Sequence, residues 1–281
     1  MANSSDLVTG ALLAVADFNN LRADVLNLIT GHIHDGTAGR LMSGGWFGDG
    51  ADGPVTISSA TSLTRTMYYS ALTINAGQTL NTKGWILFVD GTLTINATAV
   101  VMNDGGVGAV QNGGAAGFFG PGGSGAIGYG AGLTPYVSPG PTWGWGGNGG
   151  NGSGGSGATV TAPHAARAFS EWLTAALYLA SGSYTPWPIA GGGSGGGAGA
   201  TYHGGGAGGV VCIIARSIVN NGIIRSNGAA GEGLSAGGGG GGVVLLGYRT
   251  ATWGTEQANG GASGGGTGTA GAAGIIRKIA I

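Results

Sequence analysis

The sequence predicts a mainly β protein: a short N-terminal helix, then β-solenoid or β-sandwich-like repeats with polyglycine-II-like glycine-rich layers. Three observations carry that expectation. The pattern Gly209-Val-Val-Cys-Ile-Ile-Ala-Arg216 returns as Gly242-Val-Val-Leu-Leu-Gly-Tyr-Arg249 and again as Gly274-Ile-Ile-Arg277, a period of 32 or 33 residues, and such periodicity marks stacked units too small to bury an apolar face alone. Glycine supplies 68 of 281 residues, against a usual share of about 7%. The apolar segments are brief, rich in Val, Ile and Thr, and end in Asn and Gly corners such as Asn220-Asn-Gly222, which is strand and turn chemistry.

Residues 1–40 read as an N-terminal connector. Asp17 can cap a helix in which Phe18, Leu21, Val25 and Leu28 form one narrow stripe before Gly31 ends it. A helix this short is marginal alone, so the stripe calls for copies of itself or a docking partner. Residues 41–106 form a first β-rich core, with strands expected over Leu63–Tyr69, Leu72–Ile74, Thr79–Leu80, Trp85–Val89 and Thr92–Ile95. In Leu-Thr-Ile segments the aliphatics point inward and the threonines outward. Gly84-Trp-Ile-Leu-Phe-Val-Asp90 is an earlier copy of the C-terminal repeat, with Met102-Asn-Asp-Gly-Gly106 in place of the later Asn-Gly signals.

Residues 107–208 separate that copy from the repeats of 209–281 and read as an insertion, which in a repeat array emerges on one face. Two glycine-rich tracts, 105–157 and 191–209, flank an alanine-rich island whose Pro163 suits a first helical turn, predicting a helix over 163–180. The glycine runs have no Gly-X-Y frame and only 8 prolines stand in the chain, so collagen is excluded. Side-chain-free backbones can instead approach closely and exchange hydrogen bonds as a rigid slab. The large entropy loss of ordering glycine then demands dense neighbouring structure, which argues for an oligomer or a tight bundle.

Composition narrows the function. A net charge of -1 with 7% charged residues gives no basic stripe for nucleic acid. No signal-peptide pattern and no membrane-length apolar run occur, so membrane insertion is not expected and the chain is expected to be made in cytosol. The single cysteine, Cys212, lies within an apolar run and reads as a buried, inert thiol. Catalytic groupings are missing: Glu171, Glu232 and Glu256 stand in unrelated contexts, no Ser/His/Asp set is recognisable, and no phosphate-binding Gly-Lys-Ser/Thr appears. The reading is therefore not an enzyme and without a bound cofactor.

Two features point to binding. In Gly31-His-Ile-His-Asp-Gly36, an extended backbone puts His32 and His34 on one side; around a three-fold axis they would offer six imidazole nitrogens to a divalent transition metal. The plainer alternative is that these groups hydrogen-bond a tight turn. In the insertion, Trp143, Trp145, Tyr184 and Trp187 are flat rings on glycine-supported loops, able to stack on sugars or fill a protein pocket; alternatively they cap the ends of a side-chain-poor glycine array. His164 and His203 read as solvated or turn-bonding.

Leu63-Thr-Arg-Thr-Met-Tyr-Tyr69, Leu72-Thr-Ile-Asn-Ala-Gly77, Gly91-Thr-Leu-Thr-Ile-Asn96, the glycine tracts and Gly-Gly-Val-Val-Leu-Leu246 resemble glycine-rich structural proteins of tailed bacteriophage particles. His32-Ile-His-Asp-Gly36 after a short helix is similar to the N-terminal part of that group. Tail-fibre tips of T-even phages bind iron at His-X-His along a trimer axis, and some phage adhesins hold receptor-binding loops on a polyglycine-II core. The resemblance implies a homotrimeric virion protein on the particle surface. Its N-terminal segment would join other virion structural proteins, with Phe18, Leu21, Val25 and Leu28 as trimer contacts. Trp143, Trp145, Tyr184 and Trp187 would meet a host surface glycan or protein. Capsid decoration or a head fibre is the alternative. An ice-binding protein is a second, supported only by the isolated pairs Thr64/Thr66 and Thr92/Thr94.

Overall fold

The chain divides into Met1–Ser43 and Gly44–Ile281, and the computed structural model describes residues 45–106, Gly150 and 203–281. The expected helices, one carrying Phe18, Leu21, Val25 and Leu28 and the other over 163–180, lie outside the described residues. Within them the protein is mainly β, and every ladder between strands is parallel. Parallel neighbours need a crossover rather than a tight hairpin turn.

The chain visits two sheets in alternation. Strands β1 (Pro54–Ile57), β3 (Met67–Tyr69), β4 (Ala71–Ile74), β6 (Ile86–Ile95), β8 (Val210–Asn220), β10 (Val243–Thr252) and β12 (Ile275–Ala280) form one sheet. Its order is β1-β4-β6-β8-β10-β12, with β3 also on β6. Between them β2 (Thr61–Ser62), β5 (Thr79–Asn81), β7 (Val100–Met102), β9 (Ile223–Arg225) and β11 (Thr255–Gln257) form a second, ordered β11-β9-β7-β5-β2. Each repeat is thus a long strand, a corner and a short strand. The sequence pattern starts at residue 84, but the stack starts two units earlier, at β1 and β3, which no glycine run announces. Of the strand expected over Leu63–Tyr69, Met67–Tyr69 is strand; Leu63 is buried just after β2, and Arg65 is drawn aside by an ion pair to Asp52.

The long strands change character along their length. Val210–Ala215 is buried at every position, whereas Arg216–Asn220 alternates between exposed or half-buried and buried. A continuous apolar run belongs to a strand covered on both faces, and alternation to one covered on a single face. The inward face joins Leu72, Ile74, Leu93, Ile95, Ile213, Ile218 and Leu246 with Leu80, Val101 and Ile224 of the second sheet in one core. On the other face Ile86, Phe88, Cys212, Ile214 and Leu245 form a second cluster under Phe47, with Tyr68 stacked on Phe88 at a ring separation of 5.0 Å. Cys212 is fully buried there, and desolvation pushes its thiol pKa up, away from thiolate reactivity.

A register shift divides the two halves. In β6 the pair Asp90-Gly91 faces a single residue on each neighbour, because Val89 pairs with Ala215 and Thr92 with Ser217. Such a bulge leaves one residue outside the ladder. Gly91 is required there, since a Cβ would lie 2.4 Å from the Ser70 carbonyl oxygen. Arg216, opposite the bulge, donates from Nε to the Asp90 carbonyl at 2.6 Å and pairs with the Asp90 carboxylate.

The glycine runs are bonded to one another and not to the sheets alone. Runs leaving a short strand (103–106, 226–231, 258–264) and runs returning to a long strand (203–209, 236–242, 268–274) meet side by side. Along the returning runs, Gly205 and Gly208 donate to Gly237 and Gly240, and Gly238 and Gly241 to Thr269 and Ala272, at 2.9–3.0 Å. Gly239 instead donates to Ala229 of the outgoing run, and Gly242 to Ser226. Donors to one neighbour thus recur every third residue, and the residue between points to a different neighbour. These glycines are chosen for space: a Cβ on Gly239 would stand 2.1 Å from the Gly206 oxygen, and one on Gly261 1.8 Å from the Ala229 oxygen.

Leu93→Ala should lower stability by about 2–5 kcal/mol, because it empties a site sealed on every side. Thr92→Ala, on the exposed face of the same strand, should stay within about 0.5 kcal/mol. Urea unfolding midpoints of the two variants read the difference.

Candidate functional site

The two ends of the insertion meet in the glycine runs. Gly206 donates its N–H to the Gly106 carbonyl at 3.1 Å, and Gly209 to Asn103 at 2.8 Å, so the chain leaves and returns along antiparallel neighbours. Directly beyond, β6 and β8 pair as adjacent strands, with Ile86 opposite Cys212. The long excursion therefore leaves the ladder between β6 and β8 unbroken, and the segments 41–106 and 209–281 share both sheets. Gly150, from the middle of the insertion, also belongs to the runs: its N–H reaches the Gly238 carbonyl at 2.7 Å, and a Cβ on it would lie 1.9 Å from the Thr269 oxygen.

Around this mouth the run tips are tied together. His203 and Glu232 exchange backbone hydrogen bonds at 3.3 and 2.8 Å. Ser235 donates to the Gly265 carbonyl at 2.9 Å, and its hydroxyl accepts from the Thr267 N–H at 3.3 Å. The turn between outgoing and returning runs needs φ of 104° at Gly265 and 59° at Gly266, conformations that glycine adopts without strain. Leu234 is 63% exposed at its tip. The His203 Nδ1 is buried without a partner among the described residues, while the residue's backbone bonds the turn at Glu232.

A second set of polar groups seals the corners where short strands become outgoing runs. The Asp104 carboxylate accepts from the Asn227 N–H, and the Asn227 side-chain oxygen from the Asn259 N–H, both at 2.8 Å. One side-chain oxygen thus bridges each of these two steps. Inside this ladder the buried Ser226 hydroxyl lies 2.8 Å from the Gly209 carbonyl and 3.2 Å from that of Asn103.

The charged side chains serve the same end. Arg225 pairs with Asp104, and Lys278 with Glu256, across neighbouring units. Arg65 grips Asp52 with two guanidinium nitrogens, and the same carboxylate accepts the Tyr68 N–H at 2.7 Å. Hydrogen bonding from Arg65, reinforced by Tyr68, holds the Asp52 carboxyl below its ordinary pKa. Among the described residues no group of three or more His, Cys, Asp or Glu could hold a metal, and no helix is long and apolar enough to cross a membrane.

The candidate metal ligands His32 and His34 and the candidate receptor contacts Trp143, Trp145, Tyr184 and Trp187 lie outside the described residues. Sequence reasoning missed the role of Gly150 and the tied tips at Ser235 and Thr267. A signal existed in the 32-residue spacing of those two residues, which equals that of the strands. No family model, curated protein or solved structure matches this chain.

Asp52→Asn should remove a stabilising contribution that is fully present above pH about 3.8 and is lost as pH falls through the lowered folded value. Denaturation midpoints of wild type and variant should differ at neutral pH and converge as pH falls below the lowered folded value.

Proposed function

We propose that this chain is a non-enzymatic structural protein of a tailed bacteriophage, displayed on the particle surface as a trimeric fibre or adhesin that contacts the host envelope. In this reading the stacked units are a β-solenoid, and the cross-bonded runs a polyglycine-II-like layer. The observation that carries it is the hydrogen bond from Gly206 to Gly106, which holds both ends of the insertion side by side. A long excursion held at a stiff, chemically plain mouth is what a display scaffold requires. An enzyme would need a rigid cluster of reactive groups, and the described carboxylates at Asp52, Asp90, Asp104 and Glu256 are committed to arginine or lysine.

The roles follow the order of the chain. Residues 1–40 join the particle, with Phe18, Leu21, Val25 and Leu28 as trimer contacts and His32 and His34 facing the axis, where a divalent metal can bind. The layer presents residues 107–202, and Trp143, Trp145, Tyr184 and Trp187 supply flat rings for a glycan or a protein pocket. The virion is its destination and the host cytosol its place of synthesis.

The test uses labelled chain scored on a panel of bacterial envelopes. Replacing Trp143, Trp145 and Trp187 together by alanine should cut binding at least about tenfold while leaving the unfolding transition in place. Undiminished binding would sink the adhesin role and leave capsid decoration. Native mass spectrometry should show homogeneous trimers; a stable monomer would contradict the assembly.

A further inference from the structure

The last glycine run differs from its predecessors at two positions that the register makes comparable. Gly206, Gly239 and Gly271 each donate to the outgoing run of their own unit, at Gly106, Ala229 and Gly261; Gly209, Gly242 and Gly274 do the same at Asn103, Ser226 and Ala258. These are therefore equivalent sites in three successive units. One residue before them stand Gly205, Gly238 and Ala270 in the first set, and Gly208, Gly241 and Ala273 in the second.

In the two earlier units both positions must be glycine. A Cβ on Gly205 would stand 2.0 Å from the Ala229 oxygen, and one on Gly208 2.5 Å from that of Ser226. On Gly238 and Gly241 it would stand 2.0 Å from the oxygens of Gly261 and Ala258. All four oxygens belong to the outgoing run of the following unit. The N–H groups at these positions bond in the same direction, to Gly237, Gly240, Thr269 and Ala272 of the following returning run. In the third unit the Cβ is present, and Ala270 and Ala273 are both exposed.

We infer that Ala270 and Ala273 close this edge of the glycine runs: their methyl groups occupy the space that a further outgoing glycine run would need, and so bar a glycine-run hairpin from adding in register. The inference rests on the layered reading proposed above.

The test compares the full-length chain with its Ala270→Gly/Ala273→Gly variant. The probe is a synthetic peptide with the sequence of residues 226–242, one outgoing and one returning run. Amide exchange at positions 270 and 273 should slow at least about tenfold on adding the peptide to the variant, and should not change in wild type. Protection in both proteins, or in neither, overturns the proposal, because the methyls then do not decide. Gly238→Ala separates the two levels of the argument. It should broaden or abolish the cooperative unfolding transition, and an unaltered Tm would show that the register of the runs is misread rather than the closure.

Discussion

The constraint on which everything else depends is the distance between neighbouring backbones in the glycine runs. Gly228, Gly239 and Gly271 each lie where a single added carbon would fall about 2 Å from a carbonyl oxygen of another run. That spacing lets one residue reach two neighbours: Gly239 donates to Ala229 while its own carbonyl accepts from Gly261. It also forbids slippage, because a shift by one residue along the 258–264 run would bring the side chain of Ala262 or Ser263 into the gap. Glycine here is selected for its missing side chain more than for its freedom of backbone angle.

Such runs do not order themselves. Fixing one residue opposes folding by about 1–2 kcal/mol, and glycine loses the most, while a net hydrogen bond returns about 0.5–1.5 kcal/mol. The runs alone come out near or below zero, so the balance falls to the strands at their ends. Leu72, Ile74, Leu93, Ile213, Ile218 and Leu246 are fully buried between the two parallel sheets, and each buried aliphatic contributes about 1.5–3 kcal/mol. The sheets also set the register that the runs inherit: β10 pairs with β8 residue for residue from Val243 to Tyr248, and Gly242, one position earlier, enters already aligned. The side-chain ladder of Asp104, Asn227 and Asn259 fixes the other end.

This division of labour explains what could be read from the sequence. The period at Gly209, Gly242 and Gly274 marked the starts of β8, β10 and β12, which pair in parallel, and Gly84 marked β6, which pairs with β8. Cys212 within Val-Val-Cys-Ile-Ile read as buried, and the structure adds why the whole run is apolar: the second cluster around Phe88 and Cys212 covers its other face. Leu72–Ile74 and Thr79–Leu80 read as strands, but the period does not reach the first two units, because Pro54–Ile57 and Ala71–Ile74 lead into short corners at Ser59 and Asn75 with no glycine run to mark it. Residues 63–66 are not strand although their alternation looks regular, because Arg65 has a long-range partner in Asp52 that no local pattern reveals. Nor could composition show that Gly150 returns to the runs from the middle of the insertion, since one glycine among dozens carries no address.

The proposed display function joins these levels: an apolar stack anchors bonded glycine runs, and the runs hold both ends of a long insertion in fixed relation. Its most direct test is native-state amide exchange of Gly205–Gly209 and Gly237–Gly242 against that of β8. The account predicts that the glycine amides donating within the runs exchange in the same slow class as Ile213, and are released in the same global opening. Exchange of those glycines at free-peptide rates while Ile213 stays protected would contradict it, leaving a stack of strands joined by slack linkers.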